Sequence, residues 1–194
     1  MTTNERYQKN KAILPCFEDF IFGQDSPTVA ALRFGTANRT VGQVGCAAVA
    51  VYNALRLVGR PTDFCKILAQ FESLRMPWLF GLFGTKPLSL KRFFRRNLIP
   101  FQNYYSLSKF RTALSEGYVG IICAWNKGFR GIHFYCVFHK DGKLRSLNQF
   151  YSQQALDFSF LELSQSHFIV GTILKESAVR VYFVRKLHPN GRLL

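Results

Sequence analysis

The chain has 194 residues, 48% hydrophobic and 19% charged, which fits one folded domain with a sizeable core and excludes a disordered or collagen-like polypeptide. No apolar run reaches the roughly 18 residues of a membrane span, and the polar start Met1-Thr2-Thr3-Asn4-Glu5 lacks the apolar stretch of a secretory signal, so a cytoplasmic location is expected. The net charge of +15 fits either plain solubility or a surface for nucleic acid, an acidic partner or an anionic membrane.

Residues 1–15 read as a tail or arm, and 16–34 as an irregular stretch with Pro27 and Gly35 as breakers. The small, polar residues 36–45 read as a loop. The run from Cys46 to Val58, stopped by Gly59 and Pro61, predicts a helix. It is apolar nearly all round (Ala47, Ala48, Val49, Ala50, Val51, Ala54, Leu55, Leu57), the pattern of a helix buried at the centre of a protein. A second helix is expected over 63–74 with Thr62 as its N-cap. A third is expected to open at Pro87 and end before Pro100, with Lys91, Arg92, Arg95 and Arg96 flanking an inward Phe93 and Phe94.

The period then changes. Residues 118–125 predict a buried strand and 132–138 an aromatic one. Asp141-Gly142 is a hairpin turn signal, with 143–150 returning as the partner strand. Residues 167–174 and 179–187 predict two more strands. Helices first and strands second give an α+β fold.

The five cysteines (Cys16, Cys46, Cys65, Cys123, Cys136) show no CxxC spacing, so neither a metal site nor a cofactor is expected, and most should be free, buried thiols. Cys46 differs because it opens a helix, where unpaired N–H groups favour a thiolate and can hold an oxyanion. Gly45 leaves the approach to it open. His133 stands on an apolar strand between Ile132 and Phe134, where packing gives no reason for an imidazole. With a two-residue turn at 141–142, facing residues sum to 283, so His133 faces Phe150 and Tyr135 faces Asn148. His133 and Asn148 then share a sheet face, within reach of an amide-to-imidazole hydrogen bond. Such an asparagine orients the ring of a catalytic base.

The segments Gln43-Val-Gly-Cys46-Ala-Ala-Val-Ala-Val-Tyr-Asn-Ala-Leu, His133-Phe-Tyr-Cys-Val-Phe and Leu147-Asn148 resemble the papain-like cysteine peptidases. The nearest likeness is to the bacterial branch that includes double-glycine leader peptidases. The resemblance covers about residues 36–150 and the chain order Cys, His, Asn. It implies a papain-like α+β domain over 1–194, with Cys46 as nucleophile, His133 as base and Asn148 as its orienting group. It also implies a glutamine ahead of the cysteine in the oxyanion hole. Gln43 is preferred for that role, with Asn38 as the alternative, although Gln43 is only three residues before Cys46. Ala47 and Ala48 stand where the family often has a Gly or an aromatic residue.

Among the remaining residues, Asn53 is expected to pair with backbone inside the fold. Trp125, ahead of His133, is expected either to cover the His–Asn pair or to be an ordinary core residue, and Trp78 in the 77–86 loop to line a substrate groove. His139, near a turn, is expected to be solvated; His167 and His188 have no partner that the sequence names. The expected activity is hydrolysis of a peptide or amide through a thioester. The rivals are an acyl or amide transferase on the same fold, and a non-catalytic basic domain that binds nucleic acid or an acidic protein.

Overall fold

The computed structural model describes residues 1–35, 39–81, 84–115, 117–126, 131–149 and 154–175. The expected strand at 179–187, His188, Asn38 and Phe150 lie outside these residues, as do Lys127 and Gly128 of the turn before His133.

The N-terminal arm is a helix, α1 (Thr3–Ile13). A capping box starts it: the Thr2 hydroxyl accepts the Glu5 N–H at 3.2 Å, and the Glu5 carboxylate accepts the Thr2 N–H at 2.8 Å. Its sequence looks like a tail because its buried face is polar. Arg6 and Asn10, one turn apart, are both buried. Arg6 forms a bidentate ion pair with Glu72 (Nη2–Oε2 2.6 Å), and the Asn10 side chain pairs with both main-chain groups of Arg33.

Two short helices follow, α2 (Pro27–Ala30) and α3 (Val41–Val44), with a two-stranded ribbon of β1 (Arg33–Phe34) and β2 (Arg39–Thr40) between them. The expected 36–45 loop therefore carries a short strand and a helical turn at its described positions. The central helix α4 (Cys46–Leu57) is as expected, with every residue from Cys46 to Arg56 buried. Helix α5 (Phe64–Ser73) is capped by Asp63 and not by Thr62: the Asp63 carboxylate accepts the Lys66 N–H at 2.8 Å. A 3-10 turn spans Trp78–Gly81, and α6 (Leu90–Arg96) is shorter than the expected helix at both ends.

A six-stranded antiparallel sheet makes up the second half, with the order β3-β8-β4-β5-β6-β7. Its strands are β3 (Gln102–Tyr104), β4 (Tyr118–Trp125), β5 (Ile132–Lys140), β6 (Lys143–Leu147), β7 (Leu156–Asp157) and β8 (Phe168–Lys175). Helix α7 (Leu107–Ala113) lies between β3 and β4 in the chain. Neither β3 nor α7 is signalled by the sequence pattern. The β5–β6 register, from Lys140↔Lys143 to Cys136↔Leu147, keeps the sum of 283 that a two-residue Asp141-Gly142 turn requires.

Strand alternation divides the apolar residues between two cores. Ile121, Cys123, Phe134 and Cys136 pack with α4, whereas Ile122, Ala124, Tyr135 and Val137 pack with Phe110 of α7 and with Phe158. Gly171 in β8 makes room for Phe110, since a Cβ there would lie 2.2 Å from that ring.

Helix α4 is tied down by more than apolar packing. Asn53 is fully buried, and its carboxamide clasps the main chain of Ile21, accepting its N–H at 3.0 Å and donating to its carbonyl at 2.7 Å. This bears out the expected backbone pairing. Replacing Asn53 with Ala strands both Ile21 groups out of water. Urea unfolding should show a loss of about 2–5 kcal/mol, since each orphaned buried group costs about 1–3 kcal/mol; a loss below about 1 kcal/mol would show that the clasp contributes little.

Candidate active site

Cys46 is the first residue of α4 and 6% exposed. Gly45 permits this placement, because a Cβ on it would lie 2.7 Å from the Val41 carbonyl oxygen of the preceding turn. The main-chain N–H groups of Phe134, Ala47 and Cys46 itself act on the sulfur and favour the thiolate. Burial outweighs them and pushes the thiol up to about 11. Cys46 therefore rests as a thiol, whereas its helix position alone predicts a lowered value. The Cys123 thiol on β4 stands close enough to sense its charge and is itself held up by burial.

Asn148 follows β6 directly and adopts φ 64°, a left-handed conformation that asparagine tolerates better than most residues. That turn takes its side chain out of the face assigned by strand parity. Its amide nitrogen donates to the carbonyls of Phe134 at 3.0 Å and Cys46 at 3.3 Å. Its side-chain oxygen accepts the Gln24 N–H at 2.8 Å, and its own N–H donates to the Phe22 carbonyl at 2.9 Å.

The ring of His133 bonds Asn148, though not through the carboxamide. Nε2 meets the Asn148 main-chain carbonyl, so this nitrogen carries the proton and Nδ1 keeps a free lone pair. Burial lowers the His133 pKa, opposed by that carbonyl and by the charge of Asp25. The ring stacks on Tyr135 (centroids 6.2 Å apart, planes 23° apart), a residue of the core on the sheet face away from α4. No hydrogen bond joins the ring to the Cys46 sulfur. The structure thus links Asn148 to Cys46 and to His133 separately, with no direct bond between thiol and imidazole.

Gln43 is exposed, and its side-chain oxygen caps α3 by accepting the Thr40 N–H at 3.2 Å. The segment that touches Asn148 supplies another amide. Gln24 donates from Nε2 to the Gly42 carbonyl at 2.9 Å, and its Oε1 is buried without a hydrogen-bond partner among the described residues. Neither Gln24 nor Asp25 is singled out by the sequence, because Asn148 and His133, which they meet at the site, lie more than 100 residues away. Trp78 is 41% exposed in a turn whose base packs on the run into Cys46, as a Cβ on Gly84 would sit 3.5 Å from the Val44 oxygen. Trp125 ends β4 opposite Ile132 and is 38% exposed.

A pocket of about 320 Å³ lined by Leu55, Arg60, Phe93 and Asn97 opens near the other end of α4. At about 1.5 Å per residue, its Leu55 wall stands about 14 Å along the helix from Cys46. Among the described residues no group of three or more His, Cys, Asp or Glu side chains is placed to hold a metal ion, and no helix is long and apolar enough to cross a membrane. Compared with known proteins, the chain matches no protein-family model and no curated sequence.

Changing Asn148 to Asp removes the amide N–H groups and sets a carboxylate against two carbonyl oxygens. The variant should lose about 3–5 kcal/mol in urea unfolding at neutral pH, as expected for an uncompensated buried charge, and recover part of it in acid as the carboxylate protonates.

His133 sets a pH dependence of its own. Its folded pKa lies below the unfolded value of about 6.5, so the unfolded chain takes up the proton first as pH falls. Its contribution is complete above about 6.5 and declines as pH drops from there to the folded value. In the variant His133→Gln, this part of the difference in stability between pH 7 and pH 5 should vanish. By NMR, Asp25→Asn should lower the His133 pKa further; an unchanged value would remove Asp25 from the site.

Proposed function

We propose that this chain is a papain-like thiol hydrolase that cleaves a peptide or amide bond with Cys46 as nucleophile, His133 as base and Asn148 as the residue that positions both. The observation that carries this reading is Asn148, whose side chain donates to the Cys46 carbonyl at the head of a buried helix and whose main-chain carbonyl accepts from His133 Nε2. The antiparallel sheet, the helix across its face and the Nε2–H tautomer that leaves Nδ1 free to accept a proton are consistent with it.

In the proposed reaction, Nδ1 of His133 takes the proton from Sγ, and the sulfur attacks the carbonyl carbon. The Cys46 N–H holds the oxyanion, aided by a side-chain amide from Gln43 or Gln24, both anchored around the Thr40–Val44 turn. The imidazolium protonates the leaving amine, and water releases the acyl group. An amine or thiol in place of water would make the same site a transferase. Turnover requires the ring to leave Tyr135 and meet the thiol. Substrate would enter past Trp78 and Trp125. The free state of all five cysteines supports a reducing, cytoplasmic setting.

One observation favours the second reading, a papain-like core without turnover that binds nucleic acid or an acidic protein: the imidazole lies against Tyr135 on the far sheet face. Trapping of the acyl-enzyme, mapped by residue, separates the two. The hydrolase requires turnover of an amide library with an acyl adduct on Cys46, abolished by Cys46→Ala and slowed at least tenfold by His133→Ala. No turnover and no adduct on Cys46 would leave the binding domain.

A further inference from the structure

Helix α6 and its flanks stand apart from the Cys46 site and serve no role described above. The helix buries Leu90, Phe93 and Phe94 and exposes Lys91, Arg92, Arg95 and Arg96. At about 100° per residue the four cations cover about 140° on the side opposite the buried three. Lys91–Arg95 and Arg92–Arg96 are like-charge pairs one turn apart, which repel. None of the four side chains has a hydrogen bond or ion pair among the described residues, and no acidic residue occurs in the sequence between Glu72 and Glu116. The stripe is therefore left without counter-charge by its own neighbourhood.

Two exposed leucines bracket it. Leu88, two residues before the helix, is 46% exposed, and Leu98, two residues after it, is 86% exposed. Leu98 occupies an unusual place. The Leu98 N–H bonds the Arg95 carbonyl at 3.2 Å and the Ile99 N–H bonds the Phe94 carbonyl at 2.9 Å, a Schellman ending whose turning residue stands at φ 52°. Glycine is the residue that this position favours. A leucine there is strained and leaves its side chain in water, so local folding gives no reason for it.

We propose that α6 with Leu88 and Leu98 is a docking surface for an anionic lipid bilayer. The cations meet headgroup charges, and the two leucines enter the boundary between headgroups and acyl chains. Nucleic acid would satisfy the cations alone: α6 exposes no aromatic ring for a base to stack on, and phosphates have no use for the leucines. The surface is separate from the Cys46 chemistry, and its test reads binding only.

The full chain is sedimented with vesicles of phosphatidylcholine alone and with about one third phosphatidylserine. Binding should be at least tenfold stronger to the anionic vesicles and should fall with added salt. Arg95→Gln with Arg96→Gln should weaken it about fivefold per cation removed. Leu98→Asn, compatible with a left-handed φ, should weaken it severalfold while keeping the same salt dependence. Circular dichroism checks that the variants fold, and the salt and lipid-composition arms stand without any variant. The proposal is overturned by equal binding to both vesicles, by no binding to either, or by an indifferent Leu98. It is equally overturned if a single-stranded oligonucleotide or a poly-glutamate peptide binds more tightly than the anionic vesicles.

Discussion

The hydrogen bonds of Asn148 hold the head of the central helix in place. A buried carboxamide with every donor and acceptor occupied is worth more than its individual bonds, because each partner it releases would be left buried and unpaired. Here the carboxamide's partners come from three separate stretches of chain, the carbonyls of Cys46 and Phe134 and the N–H of Gln24, and the Asn148 main-chain N–H adds the carbonyl of Phe22. The His133 ring adds a fifth contact, on the main-chain oxygen. Helix, strand, hairpin end and N-terminal segment therefore cannot shift independently at this point. The left-handed φ of Asn148 is the backbone condition for all of it, since an extended residue there would have continued β6 and sent its carboxamide to the other face of the sheet.

The same alternation fixes the environments of the two reactive groups. Phe134 turns its ring toward α4, so its neighbour His133 turns to the other face and lies on Tyr135. The thiol is buried and the imidazole half-buried, and loss of water acts against charge on each: it raises the thiol and lowers the imidazole. The resting site holds a neutral thiol and a neutral ring that does not bond it, a stable arrangement for a cysteine enclosed in a core.

Local chemistry explains which parts of this were legible in the sequence. The central helix follows from its composition, and the β5–β6 register follows from Asp141-Gly142, because a two-residue turn leaves only one pairing. The mixed helix-and-sheet architecture follows from the change of period midway along the chain. Helix α1 was hidden because its buried face is made of Arg6 and Asn10, whose partners Glu72 and Arg33 are remote in sequence. The side-chain direction of Asn148 was hidden because parity arguments hold only while the strand continues, and it stops at Leu147. Gln24 and Asp25 lie in a stretch with no periodicity, so only the fold brings them to Asn148 and His133.

If Cys46 is the nucleophile that we propose, these protonation states constrain how it works. Moving a proton from a thiol held at about 11 to an imidazole lowered from 6.5 costs at least about 6 kcal/mol before the two charges interact. Two unit charges in contact at an effective dielectric of about 20 return only about 4 kcal/mol. Bringing the ring beside the sulfur therefore does not by itself create a stable thiolate–imidazolium pair in this pocket. The proton would cross as the carbon–sulfur bond forms, when the negative charge passes to the carbonyl oxygen and the N–H groups now gathered around sulfur become available to it. On that account the N–H groups at the head of α4 matter less for acidifying the resting thiol than for receiving the charge that leaves it.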